Sequence, residues 1–247
     1  MSELVEGPHT ASVERGAIIG TDGATVEIIH AVPIGTKPIA GVVVHPDLMG
    51  IRPLFDDLCR RLATHGFAVA SPEPFARASR KVRESDDPSA RMGLVPELDD
   101  AVQLGDLARA ADLLGELDGT ATAYVIGFCM GGMQALKAAA AGRFARAVAF
   151  YGMIRLPDAW NGPHFSDALS HAADVCPTLA IFGGVDPWTP TADVEALRTA
   201  WRERPECEIV VYPEADHGFV HGPDRPAHRA DDGADAWRRT LAWLGAE

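Results

Sequence analysis

Short apolar runs, each closed by a glycine, a proline or a polar loop, alternate along this chain with longer stretches whose apolar positions recur every three or four residues. The first pattern predicts strands and the second predicts amphipathic helices. Strands are expected at residues 12–20, at 25–32 after the turn residues Thr21-Asp22-Gly23, and at 39–44. The third, Ile39-Ala-Gly-Val-Val-Val44, is almost continuously apolar, as a central strand covered on both faces should be. A helix follows at 53–65, with Leu54, Phe55, Leu58 and Leu62 on one stripe, and Cys59 packs beside it. Residues 66–72 read as another strand. Residues 75–96 are polar, carry four arginines and one lysine without a clear period, and predict a loop or short-helix excursion. Helical spacing returns at 96–117 through Leu98, Val102, Leu107, Ala110 and Leu114.

The second half repeats the alternation. A strand at 123–127 runs into a helix; strands follow at 146–151, 177–183 and 208–212, with an irregular stretch at 152–174. Helices are expected at 189–204, capped by Thr191 or Asp193, and at 227–244. Strands alternating with helices imply an α/β fold with a mostly parallel central sheet flanked on both faces. No repeat, low-complexity tract or long linker divides the chain, so residues 1–247 are expected to form a single domain.

Composition narrows the functional classes. Hydrophobic residues make up 47%, enough for a sizeable core. A formal charge of −13 argues against a nucleic-acid partner, which requires a basic face. The acidic start, Met1-Ser-Glu-Leu-Val-Glu6, does not resemble a signal peptide, and no apolar run approaches membrane-spanning length. Four cysteines without a secretory signal suggest free thiols and a reducing, cytoplasmic setting.

The chemistry centres on Gly127-Phe128-Cys129-Met130-Gly131-Gly132, where β-formers give way to helix formers. Gly-x-Cys-x-Gly is the nucleophile-elbow pattern with cysteine in the usual place of serine. A nucleophile on so sharp a turn is strained, and glycines two residues either side remove Cβ atoms that would clash. Cys129 then lies at a helix N-terminus, which favours a thiolate.

Two other strand ends carry matching partners. Asp186 follows the strand ending at Gly183, and His217 follows the last strand. Nucleophile, acid and histidine in that order is the α/β-hydrolase order. His217 would take the thiol proton and later protonate the leaving group. Asp186 would fix the imidazole tautomer. The backbone N–H groups of Met130 and of Leu48, in the loop after the third strand, would stabilise the oxyanion. Two other readings compete. His45, Asp47, Asp216, His217 and His221 supply metal-ligand types, although Pro213 and Gly218 argue that the last three lie in a loop and not on a helix. A binding module that kept the fold without turnover is the other.

These motifs, with Gly183-Gly-Val-Asp186, Asp216-His217-Gly-Phe219 and the loop Asp47-Leu-Met-Gly50, resemble the dienelactone hydrolase family, a cysteine branch of the α/β-hydrolases. The resemblance runs from about Val42 to the C-terminal helix. It implies the α/β-hydrolase fold and hydrolysis of a small carboxylate-bearing enol lactone through a thioester intermediate, with no cofactor and no metal. By the same resemblance, Asp47 stands where the family has a glutamate that contacts the resting thiol. Arg77 matches one of two arginines that meet the substrate carboxylate. His221, four residues past His217, replaces the other, and a neutral imidazole offers neither the charge nor the fork of a guanidinium. Arg225 is a possible helper, while Tyr151 and Trp188 are candidates for the pocket wall. The runner-up function is a carboxylesterase or thioesterase of the same fold acting on a different small acyl substrate, charged or uncharged. The expected partner is a small lactone or ester, with no nucleic acid, no membrane and a monomeric state. A thiolate suits activated acyl groups such as lactones, aryl esters and thioesters better than plain amides.

Overall fold

The near-continuous apolar runs form fully buried strands, and the periodic stretches form the helices that cover them. In the computed structural model, which describes residues 4–246, the chain runs β1 (Ala11–Ile19), β2 (Thr25–Pro33), β3 (Ala40–His45), α1 (Pro53–Thr64), β4 (Phe67–Pro72), α2 (Arg80–Arg83), α3 (Ser89–Met92) and α4 (Asp100–Asp118). It continues through β5 (Ala123–Phe128), α5 (Met130–Ala138), β6 (Arg146–Phe150), β7 (Thr178–Gly183), α6 (Thr191–Ala200), β8 (Glu208–Tyr212) and α7 (Ala230–Leu244).

All eight strands join one sheet in the order β1-β2-β4-β3-β5-β6-β7-β8. Strands β3 to β8 are mutually parallel, whereas β1 and β2 pair antiparallel at one edge. Every residue of β3, β4 and β7 is buried, which explains why these segments show no polar alternation. Successive side chains point to opposite faces and divide the core in two. Val43 and Val125 pack with α4, α5 and α6, while Val42, Val44 and Ile126 pack with α1 and α7. Among the described residues no helix is long and apolar enough to cross a membrane.

Helix boundaries depart from the expectations where local chemistry intervenes. The helix expected at 96–117 begins only at Asp100. Pro96 lies in a short 3₁₀ turn (Val95–Glu97), and the Asp99 carboxylate caps α4 by accepting from Ala101 N–H at 2.7 Å. Neither Thr191 nor Asp193 caps α6: Pro190 holds that position without a side-chain cap, and Asp193 pairs with Arg155 at 3.1 Å. The 75–96 stretch contains the two short helices α2 and α3, and the 152–174 stretch is built on 3₁₀ turns. Against the middle of the sheet, fully buried Lys137 of α5 pairs with Asp100 of α4 at 2.7 Å, tying the helix that follows Cys129 to its neighbour.

Candidate active site

Strand β5 turns into α5 through a single residue, Cys129, whose backbone is φ 56°, ψ −120°. A non-glycine residue held there costs about 1–3 kcal/mol, and surrounding structure must over-determine it. Two hydrogen bonds do so: Cys129 N–H to Phe150 O and Met133 N–H to Cys129 O, each 3.0 Å. The flanking glycines are obligatory for packing. A Cβ on Gly127 would stand 1.9 Å from Gly131 O, and one on Gly131 would stand 2.3 Å from the carbonyl oxygens of His45 and Pro46. The turn is therefore pressed against the loop leaving β3.

That loop carries Leu48, and its shape depends on Asp47. The Asp47 carboxylate accepts from Met49 N–H at 2.9 Å and takes both Arg52 guanidinium nitrogens, at 2.7 and 2.8 Å. Burial pushes this carboxyl up, but the Arg52 charge and hydrogen bonds outweigh burial and leave it below the usual carboxylate range. Leu48 N–H has no acceptor among the described residues. Met130, the first residue of α5, likewise presents an N–H without an intrahelical acceptor.

His217 and Asp186 meet across the ends of β7 and β8. His217 Nδ1 lies 2.8 Å from Asp186 Oδ2, and the other Asp186 oxygen accepts from Trp188 N–H at 2.8 Å. Asp186 is buried, so its carboxylate is screened little by solvent. Cys129 is close enough to the same imidazole to act on its charge. Burial alone would lower the His217 pKa; the hydrogen bond to Asp186 and the neighbouring Cys129 overturn that and push it up to about 10. The three elbow-and-strand-end residues expected to work together thus converge in space.

The expected substrate-side residues fare unevenly. Tyr151 is buried beside the site, with φ 39° and its ring 5.0 Å from that of His217. Trp188 is 39% exposed, its ring 6.3 Å from His217, and it stacks on Trp160 at 5.9 Å. Trp160 is absent from the expected set; it lies far along the chain in an irregular stretch, and only its stacking on Trp188 reveals it.

Three expectations need correction. Asp47 was expected to contact the thiol, but its carboxylate is engaged by Arg52 and Met49 and makes no hydrogen bond to Cys129 among the described residues. Arg52 in the same loop was the missed partner; its spacing of five residues from Asp47 was the available signal. Arg77 was expected to meet a substrate carboxylate. Its guanidinium already pairs with Asp106 and with Asp22, the latter at 2.7 Å, so its charge is doubly matched. It lines a largely apolar cavity of about 390 Å³, with Phe75, Val82, Leu94 and Leu98, that includes none of Cys129, Asp186 and His217. His221 is 2% exposed and packed among Phe128, Phe55 and Tyr151, with neither ring nitrogen hydrogen-bonded. Burial pushes its pKa down to about 4, so it is neutral and shielded from substrate. Arg225, by contrast, is exposed over the loop after His217. A Cβ on Gly218 would stand 2.7 Å from its guanidinium, and no carboxylate pairs with it among the described residues.

Among the described residues no group of three or more His, Cys, Asp or Glu side chains is arranged to hold a metal ion. Of the metal-ligand types read from the sequence, His221 faces aromatic rings, His45 is bonded to Gln103 and the Pro46 carbonyl, Asp47 is held by Arg52 and Met49, and His217 is engaged by Asp186.

Known proteins resemble this chain in sequence and in fold. The family model "Dienelactone hydrolase family" matches residues 26–247. "Putative carboxymethylenebutenolidase" of Escherichia coli (strain K12) is 32% identical over 98% of this chain and 90% of its own. The carboxymethylenebutenolidase of Rhodococcus opacus is 27% identical over 96% of this chain and 92% of its own. A crystal structure described as "Putative Dienelactone Hydrolase", from Klebsiella pneumoniae subsp. pneumoniae, superposes with a TM-score of 0.84 at 32% identity, covering 96% of this chain and all of that one. With a strand-to-helix elbow, an eight-stranded α/β-hydrolase sheet and a family match over most of its length, this chain belongs to the dienelactone hydrolase family and is a hydrolase of ester or lactone bonds.

Proposed function

We propose that this protein hydrolyses a small lactone or activated ester with Cys129 as nucleophile, through an acyl-thioester intermediate. The observation that carries the reading is the strained elbow at Cys129 within reach of the His217–Asp186 pair. In the first step the Cys129 proton resides on His217, and Sγ attacks the acyl carbonyl carbon. Asp186 stabilises the resulting imidazolium. Negative charge passes to the carbonyl oxygen, which accepts hydrogen bonds donated by the N–H groups of Met130 and Leu48. Collapse breaks the C–O bond; His217 donates its proton to the departing oxygen, which in a lactone stays tethered to the acyl chain. His217 then takes a proton from water, whose oxygen attacks the thioester, releasing the carboxylic acid and regenerating the thiol.

On the substrate side, Trp188 and Trp160 offer an aromatic face beside His217 for a flat acyl or leaving group. Arg225 is the cation available to a substrate carboxylate, since Arg77 is matched by two aspartates and His221 is buried and neutral. A second reading, an esterase or thioesterase for uncharged acyl groups, draws support from the same burial of His221. A panel of lactones, aryl esters and thioesters, each with and without a free carboxylate, separates the two. Higher kcat/KM for the anionic members supports lactone hydrolysis with a carboxylate clamp, and indifference to that charge supports the second reading. Loss of all turnover in Cys129→Ala is required by both.

A further inference from the structure

The excursion after β4, the start of α1 and residues of β1 and β2 line a cavity of about 680 Å³ whose wall carries five guanidinium groups and four carboxylates. Arg15, Arg52, Arg80, Arg83 and Arg91 line it, against Glu27, Glu73, Glu84 and Asp86. Most of these charges are matched. Arg15 pairs with Asp56 at 2.8 Å, Arg52 with Asp47 at 2.7 Å, Arg80 with Glu84 at 2.7 Å and Arg83 with Glu27 at 3.3 Å. The Glu73 carboxylate accepts from Ile51 N–H and Phe75 N–H, at 2.9 and 3.0 Å.

Arg91 breaks this pattern. It is 2% exposed, and its guanidinium donates to the carbonyls of Ser85, at 2.7 Å, and Arg83. Among the described residues no carboxylate forms an ion pair with it; Glu73 and Asp86 act on it only from a distance. Its Nε–H is buried without an acceptor, and so is that of Arg83 on the same wall. A buried cation with no carboxylate in ion-pair contact is costly to hold in the fold, and each unfilled buried donor adds to that cost. An anion with several oxygens would supply both the charge and the acceptors.

We propose that this cavity is a binding site for a multivalent oxyanion, a phosphate or polycarboxylate group carried on a small organic body, with Arg91 and Arg83 as its donors. The volume exceeds what the anionic group alone would fill, which leaves room for that body. Since the whole chain carries a charge of −13, the attraction is local to this wall. Arg52 belongs both to the cavity and to the loop that carries Leu48, so the site adjoins the catalytic machinery without containing Cys129, Asp186 or His217.

Inorganic phosphate and citrate are the probes, titrated at constant ionic strength into the full chain and into its Cys129→Ala variant, with chloride as control. Binding to the variant makes the result independent of whether Cys129 is the nucleophile. Saturable binding by calorimetry is expected, with a Tm rise of about 3–5 °C at about 10 mM anion for a millimolar Kd. Arg83→Gln, on partly exposed α2, should fold normally, keep its turnover of neutral esters and lose at least about tenfold in affinity. Arg91→Lys should lose affinity as well, provided it folds. Inhibition of ester turnover by phosphate that is competitive would assign the occupant to the remote end of the substrate; binding without competition would assign it to a separate anion. A Tm rise no larger than that of chloride, or unchanged affinity in Arg83→Gln, would overturn the site.

Discussion

Asp47 and Arg52 form a two-pronged ion pair, with Oδ1 and Oδ2 at 2.7 and 2.8 Å from the two guanidinium nitrogens, and this pair holds the loop that presents Leu48 N–H. In the proposed mechanism this loop supplies an oxyanion donor, and the carboxylate shapes the loop while the sulfur is left to His217. Asp47→Ala and Arg52→Ala should therefore share one defect: a loss in kcat of roughly ten- to a hundredfold with little change in KM. The double variant should be no worse than either single one, because both break the same contact. Steady-state kinetics on a neutral aryl ester checks this. A change in Cys129 alkylation rate in Asp47→Ala that Arg52→Ala does not reproduce would instead restore direct contact between Asp47 and the thiol.

Burial of His221 should make the protein lose stability in acid. Its pKa falls to about 4 in the fold, from an ordinary value of 6.5, because burial among aromatic rings disfavours the charged ring. Between those values the unfolded chain binds a proton that the folded chain does not, so stability is full above about pH 6.5 and declines as pH falls towards 4. From pH 7 to pH 5 this one residue should cost about 2 kcal/mol. His221→Leu removes a buried group with no hydrogen-bond partner, and denaturant titrations should show a much smaller loss over the same interval. An equal loss in the variant would assign the acid sensitivity to other groups.

Gly127→Ala tests the geometry of the elbow. Its new Cβ would have to share space with Gly131 O, a backbone atom 1.9 Å away that cannot rotate aside. A loss of stability of roughly 3 kcal/mol or more is expected, with abolished turnover in whatever protein folds. Gly142→Ala is a control for backbone strain alone. That glycine, unlike Gly127, has positive φ (70°), and its Cβ would meet nothing within 4 Å, so the cost should be about 1 kcal/mol and activity should survive.

Arg77 and Arg225 should separate by kinetic signature. Arg77→Ala leaves Asp22 and Asp106 without their cation and should lower Tm while leaving KM for anionic and neutral substrates equally affected. Arg225→Ala should raise KM for anionic esters by about tenfold, spare neutral ones and leave Tm unchanged. The opposite assignment of effects would return the carboxylate-binding role to Arg77.

What could be read along the chain follows from how local each cause is. The buried strands were legible because parallel strands under two helical layers must be apolar throughout, as Val42, Val43 and Val44 are. The elbow was legible because backbone strain at Cys129 demands glycine at 127 and 131, a constraint written into neighbouring letters. Asp186 and His217 were legible because each directly follows a recognisable strand. The surroundings of Arg77 and His221 were not. Asp22 and Asp106 reach Arg77 from distant segments, and the rings that enclose His221 come from α1, β5 and the residue after β6. No spacing rule links such partners, so charge pairing and burial appear only once the chain is folded. The start of α4 was misjudged for a local reason: Asp99 is a strong cap, and it outweighed the apolar spacing that continued upstream.

Rapid mixing with p-nitrophenyl acetate, acid quenching and peptide mass spectrometry measures where the acyl group goes. A single acetyl adduct is expected on the peptide bearing Cys129, forming with the p-nitrophenol burst, decaying at the turnover rate and accumulating in His217→Ala if any acylation survives there. An adduct on Cys59, Cys176 or Cys207, or full turnover in Cys129→Ala, would contradict the assignment of that sulfur as the nucleophile.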